Sequence, residues 1–312
     1  MPNNFRNRRD RWCNAAKRHL SAGDLRDRFT LQAERDFRAS VRPVYRNSDR
    51  EPLPQHVGSC LLLRVDGARI VATAAHIFDQ FEEYTLYVAG PPRAKPVPII
   101  GGAGAATPKP GGERKADHFD WAFWLPPATA VVAMGDVEFL DVSRMSEGPV
   151  ISPDRFYTAI GYPVSRNKKA INHATKSIST RISMYTANVE AMPALAAELK
   201  VSGDEHLFLS FEERSFTSDG ASENTFGPKG LSGGALLDLG EFTSPESYER
   251  DPTKSALLAG MVIEYYKEHR ALVAVRIGTI VNGIRLALAR RWTITVGSRN
   301  GTMEEARFCS HR

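Results

Sequence analysis

The chain changes its hydrophobic rhythm near residue 55. Before it, Trp12, Ala15, Ala16 and Leu20, then Leu25, Phe29, Leu31 and Phe37, recur at roughly helical spacing. The pattern breaks near Ser21-Ala22-Gly23-Asp24, where Ser21 or Asp24 is placed to cap a second helix. Residues 10–40 therefore read as helix, and Pro43 to Pro54 as a linker. From Val57 the rhythm is that of strands. Ser59–Val65, the turn Asp66-Gly67, and Arg69–Thr73 predict a hairpin turning on Asp-Gly. Tyr84–Val88 reads as a further strand, and Gly101 to Gly112 as a flexible surface loop that could flank a cleft.

In the second half, strands are expected at Phe156–Ile160, Ser177–Tyr185, Leu207–Phe211, Gly234–Leu239, Ala256–Glu264 and Leu272–Ile277. Met192 to Leu199 reads as a short helix and Gly278 to Arg290 as a terminal one. Trp292–Val296 follows as an added strand, and residues 297–312 read as a polar tail.

Three short motifs sit on this pattern. Ile70-Val71-Ala72-Thr73-Ala74-Ala75-His76 is a β-branched run that ends in a histidine. Asp120 stands at the mouth of the apolar stretch Trp121–Leu125. Gly230-Leu231-Ser232-Gly233-Gly234 puts a serine on a turn of small residues. Each has an ordinary reading: a packed histidine, a strand-end carboxylate, a Gly-rich turn. Their order, with separations of 44 and 112 residues, gives them a joint chemical one. A serine hydroxyl is a poor nucleophile until a base removes its proton, and the base needs a third group to fix its tautomer. Asp117 competes for the acid, but lacks the apolar run directly after it.

These motifs resemble those of the chymotrypsin-fold, trypsin-like serine proteases. Thr73-Ala74-Ala75-His76 is similar to that family's histidine motif, Asp120-Trp121-Ala122 to its aspartate motif, and Gly230–Gly234 to its Gly-x-Ser-Gly-Gly. Ala159-Ile160-Gly161-Tyr162-Pro163 resembles the opening of the second barrel in bacterial, HtrA-like members; Val275–Ile284 resembles their last strand and closing helix. The resemblance covers about residues 55 to 290 and leaves no room for a PDZ domain. It implies a mainly β fold of two six-stranded antiparallel barrels with an N-terminal helical extension and a C-terminal helix.

The expected organisation is a basic extension over 1–50, a first barrel over 55–150 carrying His76 and Asp120, a second barrel and helix over 151–290 carrying Ser232, and a tail over 291–312. The resemblance implies peptide-bond hydrolysis through an acyl-enzyme, with His76, Asp120 and Ser232 catalytic and the N–H groups of Gly230 and Ser232 as oxyanion donors. A catalytically idle, protease-fold scaffold is the alternative. The family's specificity pocket would be walled by Phe226, Ile263, Glu264, Tyr265 and Leu272. Phe226 takes the position whose aspartate selects Lys/Arg in trypsin, which implies small or medium apolar residues at P1; a carboxylate of Glu264 facing the pocket would instead favour a basic one. Leu231 takes the position where zymogens of this family carry the aspartate that pairs with a newly cut N-terminus, so activation by that clip is not expected.

Composition narrows the setting. At 42% hydrophobic and 25% charged, the chain has the make-up of a globular protein, and no apolar run approaches a membrane span. No apolar segment follows the basic first residues, so no secretory signal is read. Cys13, Cys60 and Cys309 are few and far apart, without metal spacing; a reducing, cytoplasmic setting is expected, with Cys60 packed in a strand and no metal or cofactor required. Residues 1–50 carry 13 Lys/Arg against 6 Asp/Glu, so the basic character of the chain lies there. This arm reads as a helix docked on the barrel or as a dock for a regulatory protein. Nucleic acid is not expected as a partner, because no binding motif accompanies the charge. The expected partner of the cleft is a protein or peptide substrate.

Overall fold

The computed structural model describes residues 22–290, apart from 49–50, 91–94, 147, 149–150, 169, 173–176, 217–220, 243–248 and 254, together with 294–295. The fold is mainly β and consists of two β units with helices at either end. Its second unit is a six-stranded antiparallel sheet in the order Ser183–Asn188, Arg155–Gly161, Ala235–Glu241, Leu257–Tyr266, Ala271–Arg276, His206–Ser210. A bridge between Val189 and Leu209 joins its two edges and closes the barrel. The first unit is a curled sheet built around Val41–Ser48, Glu51–Val65, Ala68–Ala74 and Trp121–Leu125, with shorter strands at its margins.

The apolar runs are continuous because both faces of the central strands are covered. Leu61 and Leu63 enter a core shared with the second unit, whereas Cys60 and Leu62 turn into a core of the first. Trp121 and Phe123 divide from Ala122 and Trp124 in the same way. Period-two alternation thus feeds two cores from one strand, and no polar face remains to be seen in the sequence.

The hairpin at Asp66-Gly67 forms as expected, with Leu61–Val65 paired to Ala68–Ala72 and Asp66 at φ 49°. Two expectations fail. Pro43–Pro54 is not a linker: Val41–Ser48 pairs with Glu51–Leu61 on one side and Thr85–Val88 on the other. Pro43 has no N–H to donate, and the neighbouring Ala89 carbonyl takes the Arg42 Nε–H at 2.9 Å instead. Nor is Gly101–Gly112 all loop, since Ala103–Ala106 pairs with Ala122–Leu125. Small residues there allow a strand without an apolar signature. The expected Ser177–Tyr185 strand is divided into Ser177–Ile178 and Ser183–Asn188. Ile294–Thr295, within the expected added strand, pairs with Ala103–Gly104.

Helices lie on this frame at both ends of the described chain. Ile277–Ala289 buries Ile277, Ile280, Val281 and Ile284 in the shared core, and Arg285 reaches Asp66 of the first unit at 2.8 Å. Ala22–Phe37 buries Leu25, Phe29, Ala33 and Phe37 at the i, i+4 spacing of one face. Asp24 lies in its first turn, and Ser21 lies outside the described residues. Phe29 meets Phe242 edge-on at 5.1 Å, and the Arg250 guanidinium covers both rings, at 4.5 and 5.3 Å from their centres. The N-terminal helix is therefore part of the second unit's core. Phe29→Ala should lower unfolding stability by about 3–5 kcal/mol in chemical denaturation, the cost of an aromatic cavity; a loss below about 1 kcal/mol would show that the helix is only loosely attached.

Candidate active site

His76 is the second residue of a single turn of helix, Ala75–Phe78, directly after the Ala68–Ala74 strand. Asp120 precedes the Trp121–Leu125 strand that pairs with it. Their strand register brings the two residues together, and Asp120 then grips the turn at three points. Its backbone carbonyl accepts the Ala75 N–H at 2.9 Å, Oδ1 accepts the His76 N–H at 2.8 Å, and Oδ2 lies 2.5 Å from His76 Nδ1. A carboxylate can only accept, so Nδ1 carries the proton, which leaves Nε2 as the acceptor when the ring is neutral. Asp120 holds a left-handed φ of 41°, an unusual conformation for a non-glycine residue.

Asp117 is engaged elsewhere. It accepts from Thr107 and, at 2.5 Å, from Arg114 Nη1, and its Oδ1 takes the Phe119 N–H at 3.1 Å. Arg114 also binds Asp79 through two nitrogens, at 2.8 and 2.9 Å. The segment before Asp120 is thereby tied to the helical turn after His76.

Ser232 sits at the other side of the unit boundary. Leu231 N–H bonds to the Pro228 carbonyl at 2.9 Å, and Gly233 N–H to Val262 at 2.7 Å. Among the described residues the N–H groups of Gly230 and Ser232 have no acceptor. The turn thus leaves both N–H groups unspent. Gly230 has φ 98°, and a Cβ there would stand 2.6 Å from the Tyr162 carbonyl oxygen. Gly233 has φ 81°, and a Cβ would lie 1.9 Å from the Ser59 carbonyl. Neither position accepts another residue without moving the backbone.

The partners that seat this turn carry no motif. Ser59, fully buried, donates its hydroxyl to the Gly230 carbonyl at 2.8 Å and its N–H to the Ser232 carbonyl at 2.8 Å. Its hydroxyl also accepts the Tyr162 N–H at 3.0 Å, and its carbonyl accepts Thr73 Oγ1 at 2.7 Å. Thr73 is three residues before His76, so Ser59 links the histidine strand to the serine turn. Among the described residues no hydrogen bond joins Ser232 to the His76 ring. In unliganded enzymes such bonds are often long and tighten only around substrate.

The expected specificity residues divide. Phe226, Tyr265 and Leu272 share one apolar cluster, with Phe211 between Phe226 and Tyr265 at 6.1 and 5.3 Å. Leu272 is buried behind it, and Ile263, also buried, turns into the shared core. Glu264 is exposed, accepts the Tyr266 hydroxyl at 2.8 Å, and is close enough to His76 for its charge to act on the ring. Leu231, 1% exposed, packs in the same cluster as Leu272.

Burial pushes the His76 pKa down, but the Asp120 carboxylate pushes it up and prevails, with Glu264 and Asp79 adding to it; the result lies above the ordinary 6.5. Because the folded value is raised, stabilisation from this pair is fully present below the unfolded value and fades as pH rises through the folded one. No group of three metal-ligating side chains occurs among the described residues.

No protein-family model matches the chain, and no curated protein does. Among solved structures it is similar to a serine endoprotease from Yersinia pestis, at 13% identity, over 85% of this chain and 68% of that one, with a TM-score of 0.46. It is also similar to the Rv3671c protease of M. tuberculosis: in the active form at 13% identity, over 86% of each chain with a TM-score of 0.42, and in an inactive form at 13%, over 81% and 91%, also at 0.42.

Glu264→Gln should lower the His76 pKa in a pH titration of its ring protons by NMR, since one of the negative charges that raise it is removed. An unchanged titration would mean that Glu264 does not face the ring.

Proposed function

We propose that the chain is a serine endopeptidase. The observation that carries this reading is the double engagement of His76 by Asp120, across the unit boundary from a serine whose turn leaves two N–H groups without acceptors. Ser232 Oγ attacks the scissile carbonyl and forms the acyl bond as its proton passes to His76 Nε2. The same proton then goes to the leaving amine. Water, deprotonated by His76, releases the acyl group and restores the serine. Asp120 holds the Nδ1 tautomer and stabilises the imidazolium, and the Gly230 and Ser232 N–H groups bind the oxyanion.

As His76 must be neutral to act as base, its raised pKa shifts the acidic limb of the rate profile upward from the ordinary imidazole value.

Regulation by N-terminal clipping is not part of this mechanism. Leu231 gives the turn an apolar anchor where an aspartate would need an ion pair, and the turn is seated without a new N-terminus. Phe226 and Tyr265 make the neighbouring surface apolar, which supports a preference for small or medium apolar P1 residues. Glu264 lies on the His76 side of that surface and bears on residues next to P1. One observation favours a second reading, an idle scaffold: Ser232 makes no hydrogen bond to His76 among the described residues.

A P1-varied peptide library separates the readings. The untrimmed chain should cleave after small apolar residues, and Ser232→Ala should reduce turnover by about 10⁶-fold, because the triad acts as a unit. Equal activity of the variant, or activity only after N-terminal trimming near residue 55, would contradict the mechanism.

A further inference from the structure

A cavity of about 680 Å³ lies between the Ala22–Phe37 helix and the second unit, and none of His76, Asp120 or Ser232 lines it. Four arginines line it, Arg38, Arg42, Arg166 and Arg181, against two glutamates. Glu34 is already paired with Arg38, and Glu223 lies 3.9 Å from Arg166. Arg42 is 5% exposed. Its Nε–H goes to Ala89, and among the described residues its two terminal nitrogens have no acceptor. These nitrogens stand at the cavity wall, where paired guanidinium donors are open to an anion. Arg181 brings a second side chain without an ionic partner among the described residues. The remaining wall is partly apolar, with Leu31, Met184 and Phe226. The volume is that of a small-molecule site.

We propose that this cavity binds a phosphate-bearing small molecule of nucleotide size, with its phosphates on Arg42 and Arg181 and its flat apolar part against Phe226. Guanidinium groups match phosphate oxygens with paired donors, which an ammonium cannot do. The wall also leads to the candidate active site. Tyr162 lines the cavity and donates its N–H to Ser59 Oγ, which holds the Gly230 carbonyl. Asn167 accepts the Arg181 N–H at 2.7 Å and donates to the Pro163 carbonyl at 2.9 Å. An occupant would therefore bear on the Tyr162–Val164 segment, which meets the Gly230 turn through Ser59 and through the bond from Val164 N–H to the Lys229 carbonyl. This effect on catalysis rests on the endopeptidase reading, whereas the binding does not.

Titration calorimetry of the full chain at physiological salt tests the site with ATP, inorganic pyrophosphate and adenosine as probes. ATP should bind saturably at one per chain, more tightly than pyrophosphate, and adenosine should not bind. Arg181→Gln, an exposed position, should weaken ATP at least tenfold with an unchanged melting temperature, and Arg42→Gln should weaken it further. Absence of saturable binding, or binding indifferent to both substitutions, would overturn the proposal; equal affinity for pyrophosphate would overturn the nucleotide-sized ligand. In parallel, ATP should change the rate of fluorophosphonate labelling at Ser232 in the native chain but not in Arg181→Gln. Intact ATP binding with an unchanged labelling rate would overturn the coupling, and no labelling at all would count against the endopeptidase reading while leaving the binding site in place.

Discussion

The buried Ser59 hydroxyl is the interaction on which the candidate site depends. It accepts from Tyr162 and donates to Gly230, and the Ser59 backbone holds Ser232 and Thr73. Four segments from two units meet on one residue that water does not reach. Replacing such a hydroxyl leaves a donor and an acceptor buried without partners, at about 1–3 kcal/mol each. Gly233 completes the arrangement, because a side chain there would occupy the place of the Ser59 carbonyl. The two β units are thus joined by short polar contacts between the strand that leads to His76 and the turn that carries Ser232.

Asp120 does on the histidine side what Ser59 does on the serine side. Its three contacts with Ala75 and His76 fix the ring plane and the Nδ1 proton together. The left-handed backbone at Asp120 lets its carbonyl and its carboxylate point at the same turn. Arg114, between Asp79 and Asp117, braces the segments on either side. Charge then adds to geometry: Glu264 and Asp79 reinforce Asp120 in favouring the protonated ring.

What could be read from the sequence was what local chemistry writes. The Asp66-Gly67 hairpin, the strand-then-histidine run, the Asp120 strand and the glycine-framed Ser232 are all contiguous, and a mainly β fold was legible from the strand rhythm around them. Asp120 was separable from Asp117 by the apolar run alone, and Arg114 explains where Asp117 goes. The failures are non-local. Pro43 and its polar neighbours looked like a linker because the bond that compensates for the missing N–H comes from Arg42 and Ala89. Ala103–Ala106 carries too little apolar surface to show as a strand. Ser59 is one serine before an apolar run, and its partners lie up to 173 residues away, at Ser232. The division of Ile263, Glu264 and Tyr265 among the shared core, the His76 side and an aromatic cluster depends on the irregular register between Val262 and Glu264.

The central claim is that His76, held by Asp120, makes Ser232 a nucleophile. The direct measurement is site-mapped mass spectrometry of the chain after reaction with a fluorophosphonate, with His76→Ala treated in parallel. The account predicts one phosphonyl group per chain, on Ser232, and its absence from the variant. Modification of other serines, or equal labelling of Ser232 in both proteins, would contradict it.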